Sequence, residues 1–441
     1  MDSQTDPIQS AEATPGGMTD QQATNALGFS CVGHAFDHVF EPIFFVVALV
    51  LPVVFGLPFE VVLTLVLGGK LLMGLGAPLA GHLGDRWGAV RMMTIFFLGT
   101  GISAIAVGLT QGPVQMAIAL GFLGLFAGIY HPVGLAWLVR TARKRGKALG
   151  INGAFGGFGP AIGGLGAGLL IDVAGWRSAF ILPGVLCVLT GLAFAWYAAT
   201  GRIVEGTGDR STQSAPVTSR RDAVKIYGLI TLAMLVGGVI YQATQSGMPK
   251  MFEDRIPELG LWFAAPFGSG GLDSAGLPGG AFGIGIAVAI VYGVAGCFQI
   301  VSGSLADRYS LRRVYIAMYL VQIPVLLAAA HVTGLPLILV MILAVCGNIG
   351  ALPAENALLA RYTPLKWRST AYGLKFVIAF GISGLGVPLV AFVRAETGET
   401  TLLFLILGGL AALIALALTR LPGEEDSAPP EVTYQDNRAS A

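Results

Sequence analysis

Gly81-His-Leu-Gly-Asp-Arg-Trp-Gly-Ala-Val-Arg91 closes one apolar stretch of this chain, and Gly303-Ser-Leu-Ala-Asp-Arg-Tyr-Ser-Leu-Arg-Arg313 closes another. Their aspartates, Asp85 and Asp307, stand 222 residues apart. Pro132 through Arg140 matches Pro353 through Arg361 at an offset of 221, and Arg145-Gly-Lys-Ala-Leu-Gly150 matches Arg368-Ser-Thr-Ala-Tyr-Gly373 at 223. Three landmarks at one offset mean that a single structural unit has been written twice. The second copy is looser, because Ser310 stands where the first has Gly88.

Composition says what kind of unit this is. The chain has 441 residues, of which 54% are hydrophobic and only 12% charged. Its mean hydropathy is +0.74. Soluble domains carry about 25% charge, so this chain cannot coat a water-facing surface and must take the bilayer as its solvent. Its 63 glycines suit close helix contacts in lipid. A net charge of +1 argues against a nucleic-acid partner. The four cysteines, Cys31, Cys187, Cys297 and Cys346, lie inside apolar runs and read as small core residues rather than disulfides or a zinc site. A soluble enzyme, a disordered scaffold and a secreted disulfide fold are all excluded.

A bilayer core of about 30 Å takes about 20 apolar residues per helix. Spans are expected near 26–56, 59–80, 92–112, 114–139, 148–171 and 178–199, then near 225–250, 282–302, 314–332, 335–360, 371–393 and 401–420. The fold class is therefore an all-α membrane protein with 12 transmembrane helices in two pseudo-symmetric six-helix bundles, 26–199 and 225–420. Residues 1–25 are polar and read as a disordered tail, 200–224 as a linker, and 421–441 as a second tail. With the N-terminus in the cytoplasm, tails and loops on that side hold 20 of the 26 basic residues, among them Arg143, Lys144, Arg220, Arg221 and Arg312. The outer loops hold 4, Arg177, Lys250, Arg255 and Arg394. Positive charge stays inside, so both termini are expected in the cytoplasm.

The Gly81–Arg91 motif resembles the signature between helices 2 and 3 of the major facilitator superfamily of secondary transporters, through Gly81, Leu83, Asp85, Arg86, Gly88 and Arg91. The resemblance covers roughly residues 26–420. It implies a conformational latch, in which Asp85 meets the other half near the start of helix 11 and Arg140 joins the charge network. Asp307 and Arg308 occupy the matching places in the second copy. Gly159-Pro-Ala-Ile-Gly-Gly164 is similar to the helix 5 pattern of the superfamily's antiporters, with Gly159, Pro160, Gly163 and Gly164 in register. Without that resemblance the same residues read as a packing face with a proline bend. Gly128-Ile-Tyr-His-Pro132, with Arg145-Gly after it, resembles the fosmidomycin-resistance-type branch, and implies a bacterial exporter of drugs or metabolites in the inner membrane.

Charge inside lipid is expensive and normally faces a cavity or a partner. His34, Asp37, His38 and Glu41 share one face of helix 1 at i, i+3, i+4, i+7 spacing. Lys70 lies within helix 2 at a depth that lets it pair with Asp37 or Glu41. Two readings stay open: the carboxylates carry protons, with the histidines as relays, or Lys70 and one carboxylate form a permanent pair. A third is a divalent metal site of His34 and His38 with Asp37, Glu41 or His131. Lys70 next door argues against a bound cation, so no metal or other cofactor is expected. Further polar residues are His131 on helix 4, Tyr241, Gln242 and Gln245 on helix 7, Asn348, Glu355 and Asn356 on helix 10, and Lys375 at the start of helix 11. Lys375 is expected to snorkel to the interface, or else to face the cavity. The resemblance implies that helices 1, 4, 7 and 10 line a midplane substrate site. The loop from Phe252 to Ala281, with Trp262, Phe263 and Phe267, is expected to cap the outer mouth or lie in the interface.

The expectation is a monomeric transporter, not an enzyme, working by alternating access. It would export a small organic molecule against protons, and for an anionic one Lys70, His131 and Lys375 would be the attracting charges. Rivals are proton-linked uptake of an organic acid, divalent metal transport, and a non-transporting receptor on the same fold. Green fluorescent protein fused at either terminus, or inserted in the 200–224 linker, should fluoresce in whole cells. A fusion at Gln111 should be dark; a bright signal there would reverse the assigned orientation.

Overall fold

The computed structural model describes residues 18–206, 220–260, 280–363 and 374–422. No strand occurs among them. The helices are α1 (Asp20–Val47), α2 (Phe59–Trp87), α3 (Ala89–Leu109), α4 (Pro113–Thr141), α5 (Arg145–Ala174) and α6 (Trp176–Ala199). The second half has α7 (Arg220–Arg255), α8 (Ala281–Arg308), α9 (Leu311–Ala329), α10 (Pro336–Tyr362), α11 (Leu374–Thr397) and α12 (Thr401–Leu418). Eleven of these are long and apolar enough to cross a membrane; α1, with its row of His34, Asp37, His38 and Glu41, is the less apolar twelfth. Their outward faces keep Leu75, Leu79, Ile118 and Phe392 exposed, as lipid-facing side chains require.

The repeat in sequence becomes a repeat in packing. α3 packs on α6 as α9 packs on α12, and α2 packs on α4 as α8 packs on α10. Two seams join the halves: α5 against α8, and α2 against α11. Both are built on glycine. A Cβ on Gly168 would lie 2.3 Å from the Ala281 carbonyl oxygen, and one on Gly74 would lie 2.4 Å from the Gly381 Cα. Lipid gives helices no hydrophobic reason to associate, so close backbone contact supplies the attraction.

Several boundaries differ from expectation. α1 starts at Asp20, not residue 26, because Thr19 and Gln22 form a capping box there. Gln22 and Asn25 then donate to the carbonyls of Gly201 and Arg202, so residues 18–25 are held rather than disordered. The first span also breaks after Val47, and Leu51–Phe55 is a separate short helix. α7 starts at Arg220, inside the expected linker. The linker's first residues are docked: Trp137 donates to the Val204 carbonyl (2.9 Å), and Glu205 accepts from the N–H groups of Ala89 and Val90 (2.7 and 3.1 Å). That carboxylate caps α3, where the helix dipole favours it.

The first motif does not form a loop. Gly81 through Trp87 are the last turns of α2, and only Gly88 leaves the helix, at φ +89°. That backbone region favours glycine. Ser310, its counterpart, sits at φ −52°, where no glycine is needed. Cys297 is exposed, unlike the other three cysteines. The expected roles of Trp262, Phe263 and Phe267 lie outside the described residues.

Gly74→Ala should lower stability in detergent by about 1–3 kcal/mol, since only backbone is there to yield. Gly68→Ala on the same helix faces open space and should be neutral or slightly stabilising. Thermal unfolding of the purified pair checks this; equal melting temperatures would refute the seam's role.

Candidate functional site

A chamber of 2410 Å³ runs between the halves. His34, His38 and Glu41 of α1 line it, with Lys70 of α2, His131 of α4, Tyr241 and Gln242 of α7, Asn348, Glu355 and Asn356 of α10, and Lys375 of α11. It reaches the end of the bundle that carries the motifs, where Asp85, Arg140 and Asp307 are in its wall.

At mid-depth the first half holds one polar cluster. Lys70 forms an ion pair with Glu41, the pairing that sequence depth allowed. Gln242, from the other half, donates its amide N–H to the same Glu41 carboxylate. Glu41 is therefore the point where a charge pair of one half is tied to the other. Asp37 sits behind the chamber wall, its side chain fully buried, with His131 Nε2 at 3.0 Å and His38 Nε2 at 3.7 Å from Oδ2. One ring nitrogen from each of His34, His38 and His131 lies within 4.8 Å of the others, which is the arrangement that could hold a metal ion. His131 reaches this cluster because α4 widens into a π turn at Tyr130–Gly134, around Pro132. His34 donates Nδ1–H to the Asn152 carbonyl (2.8 Å) and stacks on Tyr130. Asn152 in turn donates to the Tyr130 hydroxyl (2.8 Å).

The second half has its own pair. Lys375 donates to Glu355 Oε1 (2.7 Å) and Asn356 Oδ1 (2.5 Å), and Tyr315 donates to Glu355 Oε2 (2.7 Å). Lys375 is thus buried and faces the chamber. The expected snorkelling does not occur, because a carboxylate one helix away is a nearer partner than the headgroups. Asn348 donates to the Gly237 carbonyl (3.2 Å) and ties α10 to α7. Gln245 is a correction: it is buried beside the Tyr241 hydroxyl (3.2 Å) and is not in the chamber wall.

The opposite end is shut. Arg394 of α11 donates to Asp254 of α7 (2.8 Å) and reaches across to Glu60 of α2 (Nε to Oε1, 3.4 Å). Lys250 adds contacts to Glu253 (2.5 Å) and Asp254 (2.8 Å). On the other seam, Asp172 of α5 accepts from the Phe282 N–H of α8 (3.0 Å). Lys250, Arg255 and Arg394, expected in loops, are in helical ends and at least half-buried. This charge cluster, with Asn152 and Tyr315, was missed in the sequence. Arg394 and Glu60 are 334 residues apart, and no local pattern links them.

The motif residues lie apart in this state. Asp85 and Arg140 take part in no ion pair among the described residues, and Arg86, Arg91 and Arg308 are exposed or half-exposed. Residues 364–373, just before α11, lie outside the described residues, so the expected Asp85 contact there does too. On α5, Gly159, Pro160, Gly163 and Gly164 are buried. A Cβ on Gly159 would lie 2.7 Å from His38 Cβ, and one on Gly163 would lie 2.3 Å from the Val39 carbonyl oxygen, so these glycines bring α1 against α5.

A sequence model of the Major Facilitator Superfamily matches residues 31–282 and 259–439. The chain belongs to that superfamily, whose members are multi-pass membrane transporters rather than enzymes. Among curated proteins it is 36% identical over 118 residues to the puromycin resistance protein pur8 of Streptomyces alboniger, covering 26% of this chain and 22% of that one. It is 32% identical over 120 residues to the multidrug resistance protein MdtG of Escherichia coli, covering 27% of this chain and 29% of that one. The riboflavin transporter RibZ of Clostridioides difficile is 29% identical over 119 residues, 26% of each chain. The match thus spans about a quarter of the length of each of these relatives. Among solved structures, a bacterial homologue of the human lysosomal transporter Spinster, inward-facing and occupied, superimposes with a TM-score of 0.73 at 14% identity, over 94% of this chain and 100% of that one. The unoccupied inward-facing form gives 0.69 with the same identity and coverage. At that identity the likeness is one of fold.

Removing Lys70 leaves the Glu41 carboxylate in the chamber wall without its cation. Lys70→Met should cost about 3 kcal/mol, and Glu41→Gln added to it should recover most of that loss. A double-mutant cycle on unfolding free energies measures the coupling; additive losses would mean that the two groups do not interact.

Proposed function

We propose that this protein is a secondary active transporter of the bacterial inner membrane that exports a small organic molecule in exchange for protons. It acts as a monomer with both termini in the cytoplasm. The observation that carries the reading is Glu41, held at once by Lys70 of its own half and by Gln242 of the other. With the basic-rich Asp85 end in the cytoplasm, the chamber opens inward and the Glu60–Arg394–Asp254 gate closes the outside. Rocking the halves pulls α7 from α1, removes Gln242 from the carboxylate, and changes the water that reaches it. A carboxylate whose surroundings change in that way takes up a proton on one side and releases it on the other. An exporter also needs proton and substrate to exclude each other. A molecule that takes Gln242 or the Glu41 carboxylate as its partner meets that need. The helix 5 pattern and the names of the resistance proteins among the relatives support export.

One observation favours a second reading, proton-linked uptake of an organic acid. The two mid-depth chamber lysines already hold carboxylates, Lys70 with Glu41 and Lys375 with Glu355. Protonating Glu41 frees Lys70 for a substrate carboxylate, so proton and anion would travel together. The direction of flux separates the two. Everted vesicles made acid inside should accumulate an exported probe such as ethidium, and Glu41→Gln should abolish that accumulation while sparing exchange without a gradient. Gradient-driven flux that survives Glu41→Gln would overturn the proposed coupling, and anion release from acid-inside vesicles would establish the second reading.

A further inference from the structure

We propose that His34, His38 and His131, with Asp37, form a binding site for a divalent first-row transition-metal ion in the chamber wall. The site goes beyond the transport reading and does not depend on which organic molecule is moved. Four observations carry it. The first is the donor set: one nitrogen from each of three imidazoles lies within 4.8 Å of the other two. Zinc–nitrogen bonds of about 2.0–2.1 Å place such nitrogens about 3.3 Å apart in a tetrahedron, a closure that small ring rotations supply.

The second is Asp37. Its side chain is fully buried, and neither carboxylate oxygen accepts a hydrogen bond among the described residues. Its ion-pair contacts there are imidazoles alone, from His131 and His38. A buried carboxyl is neutralised either by a proton or by a cation, and a metal shared with those imidazoles supplies the cation. Asp37 can serve as the fourth ligand, or as the carboxylate that orients His131 toward the ion.

Orientation is the third. His34 donates Nδ1–H to the Asn152 carbonyl, which fixes the neutral tautomer and leaves the Nε2 lone pair for a metal. The Tyr130 ring, held through its hydroxyl by Ser30 and Asn152, backs His34. Gly156 makes the room, because a Cβ there would lie 2.4 Å from the His34 ring. The fourth is access and charge. His34, His38 and His131 all face the chamber, so an ion has an entry path. Lys70, which would repel a cation, is compensated by Glu41, and Lys375 by Glu355. Imidazole with one carboxylate suits zinc, iron(II), cobalt and nickel. All four residues come from α1 and α4 of the first half, so an ion would stay with that half as the other rocks past it.

The test is titration of the full-length, tag-free protein in detergent with Co²⁺, whose visible spectrum reports coordination, followed by Zn²⁺ competition. One equivalent bound with a tetrahedral spectrum, displaced by Zn²⁺, is expected. His38→Ala with His131→Ala should lose it, and His82→Ala and His331→Ala should retain it. Gly156→Ala, which displaces the His34 ring but alters no ligand, should weaken binding about 10–100-fold. Gel filtration and thermal unfolding confirm that each variant is folded. Absence of stoichiometric binding by the wild type overturns the site. So does binding undiminished in the folded double variant, or unchanged in Gly156→Ala.

Discussion

Charge cannot rest alone in the middle of a bilayer, and the structure depends on how that cost is met. Glu41 and Lys70 neutralise each other inside one half, and Gln242 brings the other half to the same carboxylate. Glu355, Lys375, Asn356 and Tyr315 repeat the solution in the second half. Both clusters face one chamber. The groups that hold the molecule together at mid-depth are therefore themselves part of the chamber lining.

Around that centre the halves meet through close contacts at small residues. The α5–α8 and α2–α11 seams are backbone contacts between small residues, with Gly74 on Gly381 and Gly168 on Ala281. Such contacts have no interlocking side chains to unpack when one helix tilts against another. Among the described residues, directional bonds between the halves lie at mid-depth, from Gln242 to Glu41, and at the closed end, from Arg394 to Glu60 and from Phe282 to Asp172. At the other end Asp85 and Arg140 face the open chamber. The alternating access proposed above would use this distribution, a rigid-body rock exchanging one set of bonds for another.

The sequence misled wherever a residue's partner is distant along the chain. Lys375 reads as a snorkelling lysine because nothing nearby in sequence carries a negative charge, yet Glu355 meets it in space. Arg394 reads as a loop charge because it follows an apolar run, yet it is a buried gate residue. Residues 18–25 read as a tail because they are polar, and their polarity is what binds them to Gly201 and Arg202. Gln245 shares a helical face with Tyr241 and Gln242, but that face turns away from the chamber within one turn.

What the sequence determined by itself was set by local and periodic physics. Hydropathy and span length made the chain a bundle of membrane helices, and the offset of about 222 residues made it two copies of one unit. The i, i+3, i+4, i+7 spacing put His34, Asp37, His38 and Glu41 on one face. Only the tertiary structure decided which carboxylate Lys70 takes, that Asp37 lies behind the histidines while Glu41 lines the chamber, and which end is shut. Periodicity fixes the face a residue occupies on its own helix. How that helix is rotated and paired against the others depends on packing across the whole bundle, which no local pattern encodes.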